Sequence, residues 1–195
     1  LVRPQARPTS IGPAVDPSEL WARFEPATAD HPYLRAKQIC PSGLRVVPAD
    51  DDLIVEKYRV AGWLVVPASS LDGTLRTLQF IPPPGAGEKR SLKGGQFLDS
   101  MFIVGDVTDS TWLYVVEGIG QAEACLLATG DAAAVCFGAS RMATVARALR
   151  EEFPDLPIRL VPDRGKEADA AKIANAIGGD WVELPADKPS NYDAN

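Results

Sequence analysis

The stretch LYVVEGIGQAEACLLATG, residues 113–130, decides how the fold is read. Four apolar residues run straight into Glu117 and Gly118, and an alanine-rich segment then continues to Gly130. A short continuous apolar run marks a strand buried on both faces, and a glycine after an alanine-rich segment marks the end of a helix. The rhythm then repeats. Strand 133–137 (AAVCF) precedes helix 140–152 and Pro154; strand 158–161 (IRLV) precedes helix 166–177, stopped by Gly178 and Gly179; strand 181–184 (WVEL) closes the series. Three β–α units with short connections predict a parallel sheet flanked by helices, an α/β fold.

Upstream the pattern differs. Residues 1–18 hold four prolines and no periodicity, and are expected to be a linker or flexible arm. Asp16 is placed to cap a short helix over 17–24, and HPYLRAKQI suggests a second one, closed near 40–43. Strand-like segments follow at 62–68 and 74–81, with short pieces near 89–92 and 101–104. LDGT at 71–74 is a hairpin signal, because Asp-Gly tolerates the positive φ of a tight turn. Alternation puts Leu75, Thr77, Gln79 and Ile81 on one face, and Arg76, Leu78 and Phe80 on the other. The expected organisation is an arm over 1–18, an α+β lobe with an antiparallel sheet over 19–107, and the parallel-sheet domain over 108–195.

Composition narrows the function. Hydrophobic residues make up 46% and charged residues 24% of the 195-residue chain, as in ordinary globular proteins. No apolar run spans a bilayer, so no membrane partner is expected. The chain begins at Leu1 and is expected to be a piece of something longer. Cys40, Cys125 and Cys136 form no CxxC pair and are odd in number, which points to a reducing cytoplasm. Cys125 and Cys136 lie in apolar surroundings and are read as core residues. The single histidine, His31, stands before Pro32 and is read as a helix-entry residue. Charge is uneven. Residues 1–105 carry 12 Lys and Arg against 11 Asp and Glu, while residues 106–195 carry 8 against 15. The net charge of −6 is unlike that of a tight autonomous DNA binder, which would show a basic excess.

The acids have an ordered placement. In an open parallel sheet the functional crevice lies beyond the C-terminal strand ends. Glu117 follows strand 112–116, Asp163 follows strand 158–161, and Asp193 lies beyond strand 181–184. Taken singly, such an acid often only caps the next helix, and Asp163 could do so. Three at one edge form a set of hard oxygen ligands suited to Mg²⁺.

VVEGIGQAEA, VPDRG and NYDAN resemble the three acidic motifs of the Toprim domain of bacterial primases, topoisomerases and some nucleases. HPYLRAKQI, LVVPASSLDGTLRTLQFI and EKRSLKGG resemble the preceding lobe of plasmid-conjugation and phage primases. The resemblance covers roughly residues 18–195 and implies a DNA primase catalytic core with a Toprim domain over 108–195. It implies that Glu117 and Asp163 are catalytic, and that Glu117, Asp163 and Asp193 bind Mg²⁺ or Mn²⁺. The implied partners are a single-stranded DNA template, ribonucleoside triphosphates, and a helicase or zinc-ribbon domain outside this stretch. Three positions depart from the family pattern: Gly165 and Asn195 stand where acids are common, and Gln121 replaces an acid some members bear.

Lys89, Arg90 and Lys93 are the nucleic-acid candidates, with Gly94 and Gly95 allowing backbone amides close to a phosphate. The alternative is a solvated hairpin edge guarded by lysines. Arg35 and Lys37 are lesser candidates for that groove. Arg164 and Lys166 are expected either on a nucleotide phosphate or paired with Glu167 and Asp169. The leading reading is primer synthesis on single-stranded DNA. A degenerate Toprim module acting as a nucleic-acid-binding scaffold, favoured by Gly165, is the alternative. A phosphoacceptor domain is disfavoured, because it needs adjacent acids after its first strand.

Overall fold

The computed structural model of the chain describes residues 15–189. Most of the expected arm, and Asp193, lie outside them. Asp16 opens α1 (Pro17–Arg23), its carboxylate accepting from the Ser18 N–H at 2.8 Å. After β1 (Glu25–Pro26), α2 (Pro32–Lys37) starts at His31. His31 Nδ1 accepts from the Tyr33 N–H at 3.3 Å, so the ring proton sits on Nε2, 3.0 Å from the Gly62 carbonyl it donates to. The lone histidine is thus a helix cap and a tie between segments. α2 stops before residue 40, because Gln38 turns left-handed at φ 54°.

The remaining strands of the first half are β2 (Arg45–Val46), β3 (Ile54–Val55), β4 (Tyr58–Arg59), β5 (Leu64–Ser69), β6 (Leu75–Ile81) and β7 (Arg90–Ser91). They form an antiparallel sheet ordered β1-β2-β5-β6-β7, with β3 and β4 as a separate ribbon. At the Asp-Gly turn only Gly73 takes a positive φ, +83°, and the register shifts between Ala68 and Ser69. The connection is therefore a bulged turn. Asp72 accepts from the Ser70 hydroxyl at 2.7 Å and the Thr74 N–H at 2.9 Å, which holds its carboxyl down to about 2.

Register assigns the faces. Leu64 opposes Ile81 and Val66 opposes Gln79, while Val65 opposes Phe80 on the other side. The Phe80 side packs with Leu20 and Phe24, whose ring meets Phe80 edge-on at 6.1 Å.

The second sheet contains β8 (Phe102–Val104), β9 (Leu113–Val116), β10 (Ala133–Val135), β11 (Ile158–Val161) and β12 (Asp180–Trp181). Its order is β12-β11-β9-β10-β8, parallel except for β8, which runs antiparallel to β10. Helices α3 (Ile119–Thr129), α4 (Met142–Glu152) and α5 (Glu167–Ile177) flank it, and α3 and α5 end at left-handed Gly130 and Gly178 as expected. β8 had been grouped with the first half; its apolar residues find their burial against β10 instead. Of the expected strand 181–184 only Trp181 is in a strand, the two-residue edge strand β12.

The central strand β9 is buried on both faces. Leu113 and Val115 pack with α4 and α5 residues such as Leu149 and Ala174. Tyr114 and Val116 pack with Ile119 of α3 and with Leu64, Val66 and Ile81 of the first sheet. The two sheets thus share a core. A backbone pair between Ser69 and Met101, 2.8 and 2.9 Å, links them directly. Among the described residues no helix is long and apolar enough to cross a membrane.

Candidate active site

Strands β9, β10 and β11 end in register, with Val116 opposite both Val135 and Val161. The next residues therefore emerge on one edge: Glu117 after β9, Phe137 after β10, and Asp163 after β11. Asp163 does not cap α5, whose N-terminal boundary is Lys166. Its N–H donates instead to Glu117 Oε1 at 3.2 Å. The two acids that sequence placed at the crevice are brought together.

Gln121 joins them. It is 2% exposed, one turn into α3. Its Oε1 accepts from the N–H groups of Glu117 at 3.0 Å and Gly118 at 3.2 Å, and its Nε2 donates to Asp163 Oδ1 at 2.7 Å. The sequence reading counted Gln121 as a lost acid. In the fold it accepts at one end and donates at the other, which an amide does at any pH and a glutamate only when protonated. A buried polar residue at i+4 from the strand-end acid was the available signal.

The first sheet supplies the opposite wall. Gln79 and Lys89 line a pocket of about 200 Å³ with Glu117, Gly118, Gln121, Phe137, Gly138 and Asp163. Lys89 Nζ lies only 3.4 Å from where a Cβ on Gly118 would stand. Glu117 also lines a smaller hollow of about 140 Å³ with Ser140, Lys166 and Asp169. Phe137 holds a positive φ of 61° and packs on Phe97 at 5.1 Å, whose ring carries Arg141 at 4.7 Å. A non-glycine residue in that region marks local strain beside the acids.

The other basic candidates divide. Strand pairing sets Arg90 opposite Phe80, on the face turned from the acids. It lies 3.5 Å from Glu88, 3.7 Å from Glu56 and 4.6 Å above the Tyr58 ring. Lys93 and Gly94 are exposed. Gly95 has a packing reason: a Cβ there would stand 2.0 Å from Thr77 Oγ1. Arg164 pairs with Glu167 at 3.3 Å and donates to the Ala186 carbonyl at 3.2 Å. Lys166 lines the Glu117 hollow, so the structure separates it from Arg164's ion pair. The thiols take no part: burial pushes Cys125 up to about 11 and Cys136 up to about 12.

Among the described residues no group of three or more His, Cys, Asp and Glu gathers to hold a metal ion. Two carboxylates nevertheless suit hydrated Mg²⁺, which keeps waters and takes remaining ligands from substrate phosphates. The two carboxylates could supply part of an ion's ligand set, with water or other oxygens for the rest, and do not make an all-protein cage.

No protein-family model matches the chain, and no curated protein matches it either. A solved structure, the Aquifex aeolicus primase (zinc-binding and RNA polymerase domains), is similar in fold with a TM-score of 0.54 at 14% identity. The match covers 83% of this chain and 50% of that one, so the chain spans about half the length of its structural neighbour.

Proposed function

We propose that the chain is the catalytic core of a Toprim-type DNA primase, resembling those of plasmid conjugation and phages. It makes short RNA primers on single-stranded DNA by metal-dependent nucleotidyl transfer. The observation that carries this is Glu117 and Asp163 tied by Gln121 at adjacent strand ends and faced by Lys89 from the other sheet. A primase-like fold supports it.

In this reading Glu117 and Asp163 hold Mg²⁺ or Mn²⁺, with Asp193 as a further ligand. The ion supplies Lewis-acid activation of the primer 3′-hydroxyl and charge stabilisation on the leaving pyrophosphate. Lys89 holds a nucleotide phosphate beside the acids, and Gln121 keeps both carboxylates in one orientation. Lys93 and Gly94, exposed in the turn after β7, meet the template backbone; Lys166 serves a phosphate near Glu117. The proposed setting is the cytoplasm, with a helicase or zinc-ribbon domain as partner beyond this stretch.

Glu117→Gln keeps shape and hydrogen bonding while removing the charge. Ribonucleotide incorporation on single-stranded DNA with Mg²⁺ or Mn²⁺ should fall by at least about 100-fold, the scale of a lost charge-stabilising group. An unchanged melting temperature would locate the loss in the site; full activity would remove Glu117 from the chemistry.

A second reading, a degenerate module that binds nucleic acid without turnover, is favoured by Gly165. Its φ is +93°, so the turn after Asp163 is built for glycine and not for another acid. Template binding by a parent protein that incorporates no nucleotide with either ion would select this reading.

A further inference from the structure

A larger cavity, about 630 Å³, adjoins the acid pocket, and Lys89 belongs to the wall of both. One side is α2, presenting Tyr33, Ala36 and Lys37; the other is the loop from Ile81 through the prolines at 82–84 to Glu88. Three consecutive prolines fix their own φ, so this wall is stiff before any ligand arrives. The chemistry is specific in kind: an aromatic ring and proline faces for a flat apolar group, and two lysines for an anion. The one acid, Glu88, lies 3.5 Å from Arg90, which answers its charge. The volume falls within the range of small-ligand sites.

We propose that this cavity is a nucleoside subsite. It takes the base and sugar of a nucleotide whose phosphates rest on Lys89, beside Glu117 and Asp163. The inference rests on the function proposed above and adds a location for the part of the substrate that does not react. Two observations carry it: Lys89 stands in the walls of both pockets, and the larger cavity offers an aromatic ring, proline rings and two lysines to a planar group with an anionic tail. Stacking on Tyr33 and the proline rings is tolerant of base identity, so all four nucleotides are expected to bind with similar affinity.

Titration calorimetry with Mg²⁺ compares the four ribonucleoside triphosphates with inorganic tripolyphosphate. In the parent protein each nucleotide should bind at least about fivefold more tightly, the lower end for stacking one base on an aromatic side chain. Ala36→Trp fills the cavity from an exposed helix position. It should abolish that advantage and leave tripolyphosphate binding unchanged. Tyr33→Leu, which spares the backbone N–H bonded to His31, should reduce the advantage and serves if the tryptophan variant does not fold. Equal affinity for nucleotides and tripolyphosphate in the parent overturns the subsite and leaves the acid site standing. Weakened binding of oligo(dT) with unchanged nucleotide binding in Ala36→Trp assigns the cavity to the template strand and overturns it as well. Absence of both nucleotide and tripolyphosphate binding defeats this inference together with the function it rests on.

Discussion

At the scale of single residues, Gln121 is the side chain on which the site's geometry depends. Replacing it by Leu strands two N–H groups and removes a donor from Asp163. Each buried group left unsatisfied costs about 1–3 kcal/mol, so chemical denaturation should show a loss of that order. Gln121→Glu is the sharper test. A carboxylate can still accept from Glu117 and Gly118 but cannot donate to Asp163, and it adds a third negative charge beside Glu117 and Asp163. The expected result is a folded protein whose incorporation activity falls, with a melting temperature that rises as pH is lowered through the acid range. Parent-like activity and pH dependence in Gln121→Glu would reduce the bridge to an incidental contact. Sequence could name Glu117 and Asp163 because in-register strand ends follow from apolar runs of fixed length. It could not show what Gln121 does, since that needs the distance between two strands.

At the scale of elements, the turn between β11 and α5 explains a missing acid. Gly165 holds φ +93° while its N–H donates to Glu167 Oε2 at 2.7 Å. Gly165→Asp should therefore lose about 1–3 kcal/mol from backbone strain, seen as a lower melting temperature. A variant as stable as the parent would mean the turn can relax, and the family-type acid could then be restored without harm. Helix α3 carries a second consequence. Glu123 is 5% exposed and accepts the Cys40 N–H; burial raises its pKa, and the hydrogen bond only partly opposes this. The folded state therefore keeps that proton to higher pH than the unfolded chain does. Stability contributed by the protonated form is present below the ordinary value of 4.5 and is lost as pH rises through the raised folded value. Glu123→Gln should melt higher than the parent at pH 7, and the difference should close below about pH 4.5; a constant difference across pH would point to packing. The β–α units were legible because each pairs an apolar run with a stop signal, glycine after α3 and α5 and Pro154 after α4. β8 was not, because three residues without a turn signal do not reveal which sheet they join. The face on which Arg90 stands was hidden for a related reason: a two-residue strand is too short for alternation to show it.

At the scale of the molecule, the net charge of −6 sets the terms for nucleic acid. An acidic protein can hold a single strand only through a local track of cations, so each contact in that track should be visible in the salt dependence. Lys93→Gln should lower the slope of log affinity against log salt by about 0.7, the value for one contact on a single strand. Arg90→Gln should leave the slope unchanged, because its guanidinium is committed to Glu56, Glu88 and Tyr58. The opposite pattern in a filter-binding titration would exchange their roles.

The core shared by the two sheets has a consequence for synthesis. Leu64, Val66 and Ile81 leave the ribosome long before Tyr114, Val116, Val135 and Val161 exist to cover them. For that interval the nascent chain carries an apolar sheet face that Leu34 of α2, Ile39 and Leu44 cover only in part, whereas the Phe80 side can be closed by α1, which has already emerged. Folding of the first half cannot finish on its own, and the growing chain passes through a stage in which chaperones would find a ready hydrophobic surface.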